Sequence, residues 1–116
     1  MNSGVVGYKM TLSTDDCRIA RWIANQIIGQ WGEENIWAVG RTNEQWEGET
    51  EIMVVIKDTD DISPYNIIEK VRALSAQFSV DVLRGEFIGD VPLRVILRTA
   101  SQVLKIAEID ATRIVY

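Results

Sequence analysis

The chain of 116 residues contains no histidine, a single cysteine and two prolines. None of its apolar runs approaches the roughly 18 residues needed to span a bilayer. Without histidine, Ser-His-Asp and Cys-His catalysis are excluded, as are most zinc sites. The chemistry left to such a chain rests on carboxylates, lysines, tyrosines and metals held by oxygen ligands. The lone Cys17 cannot close an internal disulfide, which points to a reducing compartment. A reactive thiol needs an electropositive partner, and Cys17 reads as a bystander on a helix. Basic blocks are also missing. The net charge is −5 with Lys and Arg scattered, which excludes affinity built on broad phosphate-backbone contact, though not the binding of one nucleotide through a metal. The opening MNSGVVGYKM lacks the basic start and apolar core of a signal peptide, and the chain is expected to be cytoplasmic.

What is present fits one domain spanning 1–116, with 47% hydrophobic and 25% charged residues. Residues 1–12 read as an N-terminal segment, extended or poorly ordered. Ser13 or Thr14 caps a helix with Asp15 and Asp16 in its first turn. Ala20, Ile23, Ala24, Ile27, Ile28 and Trp31 form its apolar stripe, and Gly32 ends it. Strands follow at Ile36–Val39 and Ile52–Ile56, with room for a short helical turn around Asn43–Trp46 between them. The run Asp58–Asp61 reads as a solvated turn. Ser63 and Pro64 then open a helix whose apolar face is Ile67, Ile68, Val71, Leu74 and Phe78. A third strand is expected over Val80–Phe87 and a short extended run over Gln102–Ile106. Between them Val91–Ala100 fits strand alternation and helical spacing equally well, and Asp90 as cap with Pro92 near the start favours a helix. The expected class is α+β, with helices packed on a small mixed sheet.

The segment Ile36–Lys57 carries the chemistry. It runs strand, glycine, polar loop, acidic pair, strand. A strand alternates its side chains, so Glu49 and Glu51 point to one face. Two carboxylates near a strand's start suit a divalent cation, and a glycine beside them lets backbone amides approach a phosphate.

On these residues the chain resembles the minimal nucleotidyltransferases of the polymerase-beta-like superfamily. That pattern has a strand ending in Gly-Ser, then Asp-x-Asp opening the next strand, then a third acid on a later strand. Gly40-Arg41 falls at Gly-Ser, Glu49-Thr50-Glu51 at Asp-x-Asp, and Asp81 at the third acid. The closing VPLRVILRTASQVLKIAEID is similar to the family's leucine- and arginine-rich helix and short strand. The resemblance spans roughly residues 13–110. It implies Glu49, Glu51 and Asp81 as catalytic and magnesium-binding residues and Gly40 and Arg41 as nucleotide-binding. Asp81 would also help deprotonate the acceptor hydroxyl. It further implies a nucleoside triphosphate such as ATP, and a helical toxin as the protein partner of an antitoxin. Arginine in place of serine, and glutamates in place of both aspartates, mark the motif as degraded. A magnesium ion tolerates little displacement of its ligands, and Arg41 can pair with Glu49 or Glu51 and fill the nucleotide pocket.

Other residues fit this frame. Trp31 and Trp37 read as core, Trp22 flanks the first stripe, and Trp46 in the polar loop is a base-stacking, protein-contact or packing residue. Arg94 and Arg98 share a helical face, and Lys57 could approach a phosphate. The sequence thus leaves three functions open. The first is a catalytically degraded nucleotidyltransferase relative acting as an antitoxin or other protein-binding module. The second is an active magnesium-dependent enzyme transferring a nucleoside monophosphate to a protein or small-molecule hydroxyl. The third is an unrelated α+β immunity or adaptor protein. None of them calls for a membrane or for extended nucleic-acid binding.

Overall fold

The computed structural model describes residues 5–115. Four strands and three helices follow in the order β1 (Val6–Leu12), α1 (Cys17–Trp31), β2 (Ile36–Thr42), β3 (Thr50–Ile56), α2 (Pro64–Ala76), β4 (Val82–Ile88) and α3 (Leu93–Leu104), with a 3₁₀ turn at Ala111–Arg113. The class is α+β, as expected. The sheet order is β2-β3-β1-β4, and all three pairings are antiparallel where a mixed sheet was expected. The difference comes from β1. Residues 6–12 form an inner strand between β3 and β4, with Val6, Met10 and Leu12 fully buried. The resulting β-α-β-β-α-β order is the split βαβ, ferredoxin-like arrangement.

Local chemistry sets the elements. Asp16, rather than Ser13 or Thr14, caps α1, its carboxylate accepting from the Arg18 amide at 3.0 Å while Thr14 Oγ1 accepts from the Asp16 amide. Ala20, Ile23, Ala24 and Ile27 are buried, and Gly32 ends the helix at φ 91°, a conformation that favours glycine. Ser63 and Asn66 form a capping box on α2, with Pro64 in its first turn. Residues 43–49 form bends and turns with no helical turn among them. Of the extended run expected at Gln102–Ile106, residues 102–104 are instead the end of α3, because the 3.6-residue apolar period continues through Val103 and Leu104, and Lys105 caps the helix.

Period-two alternation divides the sheet into two faces. Ile36, Ala38, Ile52, Val54, Ile56, Val6, Met10 and Leu12 face the helices and make the core with the stripes of α1 and α2. On the opposite face Trp37, Arg41, Arg84, Glu86 and Ile88 are exposed. The register aligns that face in three rows across β2, β3, β1 and β4: Trp37–Val55–Gly7–Ile88, Val39–Met53–Lys9–Glu86, and Arg41–Glu51–Thr11–Arg84. Among the described residues, no helix is long and apolar enough to cross a membrane.

Candidate functional site

The third row of the open face contains Glu51, one member of the acidic pair. Glu51 lies second in β3, and its side chain is only 8% exposed. Arg41, directly opposite on β2, donates from Nε to Glu51 Oε2 at 2.6 Å. Glu49 precedes β3 on the same side of the chain. Its Oε1 accepts from Arg84 Nη2 at 2.5 Å and from Asn43 Nδ2 at 3.4 Å. One row away Lys9 Nζ lies 3.0 Å from Glu86. Each of the three glutamates on this face therefore has its own cation, and the patch carries no net charge.

Charge matching of this kind is the lower-energy state for a buried carboxylate such as that of Glu51. A desolvated Glu51 without a partner would cost on the order of 1–3 kcal/mol, whereas the planar guanidinium supplies a charge-assisted hydrogen bond with little reorganisation. Beside the pair lies a concavity of about 310 Å³, lined by Lys9, Arg41, Asn43 and Glu51 with the 42–45 loop. Two basic residues, Lys9 and Arg41, match the two acidic ones, Glu44 and Glu51, in its lining, so it is not an acidic cleft.

Asp81 does not join this group. It is exposed just before β4, where its amide donates to Ser13 Oγ at 2.8 Å and its carbonyl accepts from the Ser13 amide at 2.9 Å. It lines a separate concavity with Arg72, Ser75 and Ser79. The intervening β1 separates β3 from β4 by two strand spacings, about 10 Å. Among the described residues, no three His, Cys, Asp or Glu side chains converge closely enough to hold a metal ion.

Gly40 has a different neighbour from the one its motif position implies. It lies inside β2 on the core side, and a Cβ there would come within 2.3 Å of the Ala20 carbonyl carbon in α1. The missing side chain admits a helix backbone. Trp46 is 58% exposed on the 43–49 loop, outside the concavity lining. Trp37, expected in the core, is exposed on the open face, while Trp31 packs against the core as expected. Lys57 Nζ is occupied by the Glu33 carbonyl at 2.9 Å. Cys17 is a half-buried free thiol, and Asp58 Oδ1 accepts from the amides of Asp60 and Asp61 in a local turn.

Sequence reasoning missed Lys9, Thr11 and Arg84, which complete the face. Lys9 and Thr11 stand in the segment whose alternation Val6, Tyr8, Met10, Leu12 was the available strand signal. For Arg84 no local signal exists, since its partner lies 35 residues away. A scan against protein-family models finds none that matches the chain, and no curated protein matches it.

Proposed function

We propose that the chain works by binding a protein partner, and that the Glu49/Glu51 segment does not perform nucleotidyl transfer. The observation that carries this reading is the Arg41–Glu51 ion pair. A magnesium ion at the acidic pair would have to displace the guanidinium groups of Arg41 and Arg84 and recruit ligands from a hydrated surface, against its reluctance to shed water. On the resemblance, the chain is a catalytically degraded nucleotidyltransferase-like protein of the antitoxin kind, with a helical protein as its partner. The open sheet face suits such a partner. Trp37, Val55 and Ile88 offer an apolar row to the stripe of an amphipathic helix, and the neighbouring matched charges offer polar contacts at its rim.

A second reading, that of an adaptor or immunity protein unrelated to nucleotidyltransferases, is favoured by two features of the fold. An extra strand stands between the acid-bearing strands, and Gly40 serves helix packing. Both readings are binding functions, and one experiment separates them from catalysis. Calorimetric titration with magnesium and each nucleoside triphosphate is expected to give no saturable heat at millimolar ligand. Saturable, magnesium-dependent nucleotide binding that Glu51→Gln abolishes would overturn the proposal.

A further inference from the structure

Helix α3 carries apolar residues at 93, 96, 100, 103 and 104, a heptad spacing that lays them along one stripe. A surface helix ordinarily turns such a stripe to its own core. Here the polar side is turned inward. Val95 is the one buried apolar residue of the helix. Gln102 meets Ser63 of the α2 cap. Arg94 donates to Thr59 Oγ1 at 2.7 Å, and Arg98 donates to the carbonyls of Asp60 and Asp61. With about 100° between successive residues, Val95, Arg98 and Gln102 lie opposite the stripe. Leu93, Ile96, Val103 and Leu104 are accordingly 54%, 39%, 56% and 62% exposed.

Among the described residues, the chain's own tail does not cover this surface. It turns at Lys105, whose φ of 60° is left-handed, and the Ile106 amide donates to the Ser101 carbonyl. Residues 107–109 then line a concavity with Leu97 and Ser101, on one flank of the helix.

We propose that the stripe is covered by α3 of a second copy of this chain, packed antiparallel about a two-fold axis at the level of residue 98. The sequence of the stripe is self-complementary in that arrangement. Leu93 falls opposite Val103 of the other copy, and Ile96 falls opposite the small Ala100, so a large side chain meets a gap at each inner layer. Exposed Asp90 and Lys105 bracket the helix, and the antiparallel pair brings each near its opposite charge. A parallel pair would stack Ala100 on Ala100 and place Lys105 beside Lys105. The charges of Arg94 and Arg98 are held back against the 59–61 turn, so the two stripes meet without like-charge repulsion. The matched spacing selects a second copy over an unrelated helix. At 12 residues α3 is only about 18 Å long, which places the interface at the small end of specific contacts and the dimer in the micromolar range. This inference stands independently of what the sheet face binds.

Sedimentation equilibrium of the full chain from about 1 to about 300 µM tests it. A reversible monomer–dimer transition is expected, lost in Ile96→Glu with Val103→Glu. Both positions are exposed, so that variant keeps the wild-type circular dichroism melt. Lys105→Glu weakens the dimer about fivefold, and adding Asp90→Lys restores it. A wild-type chain that stays monomeric throughout overturns the proposal and assigns the stripe to a different protein. So does a dimer that survives the double glutamate variant, or one indifferent to the Asp90 and Lys105 reversals.

Discussion

Glu51 illustrates how one neighbouring cation decides what a buried carboxylate can do. Its side chain is nearly buried and its charge is met by Arg41, half of which remains in water. Solvent on the arginine side weakens the pair, so its net worth is modest even though each partner depends on the other. Removing the arginine alone strands a buried carboxylate. Arg41→Ala is therefore expected to lower stability by about 1–2 kcal/mol in urea unfolding. Glu51→Gln, whose amide oxygen still accepts from the guanidinium, is expected to cost less than about 1 kcal/mol. Introduced on the Arg41→Ala background, Glu51→Gln removes the stranded charge and is neutral or stabilising. A double-mutant cycle measures this, and strictly additive effects would show that the pair is not coupled.

Among the elements, legibility followed periodicity and capping. The stripe of α1, the Ser63-Pro64 start of α2 and the two strands flanking the acidic loop were all readable, because each is specified by residues within a few positions of one another. Strand β1 was not recognised, although Val6, Tyr8, Met10 and Leu12 alternate. Its two neighbours are distant in sequence, and Gly7 and Lys9 give it a weak local β signal. That omission reached the site, since β1 is what keeps Asp81 from the glutamates. The role of Gly40 had a readable clue in the shrinking series Ile36, Ala38, Gly40 on one face of β2, which marks where α1 comes closest. The cap of α1 supports a prediction of its own. Hydrogen bonds from the Arg18 side chain and amide hold the Asp16 carboxyl below its usual range. A lowered folded-state value stabilises the protein fully above the ordinary carboxylate pKa and is lost as pH falls through the lowered one. Asp16→Asn keeps a neutral cap without the charge. It is expected to melt slightly below wild type near neutral pH and to coincide with it in strong acid, as thermal melts across that range would record.

At the scale of the whole molecule, the chain presents two unrelated surfaces, the open sheet face and the stripe of α3. Its four tryptophans report on them unequally. Trp37 stands in the apolar row of the sheet face, Trp22 packs edge-on against Phe78, Trp46 is on the 43–49 loop and Trp31 leans on the core. None lies on α3. Self-association through the stripe therefore leaves tryptophan emission unchanged, whereas a partner on the sheet face takes Trp37 out of water and shifts emission to the blue. Emission and acrylamide quenching are accordingly expected to stay constant across the monomer–dimer transition. A bound helical partner should blue-shift the spectrum and protect one fluorophore, and Trp37→Phe should erase both effects. Emission that moves with protein concentration alone would place Trp37 in the self-association interface. The sheet face would then be the dimer surface, and the binding function would need another site.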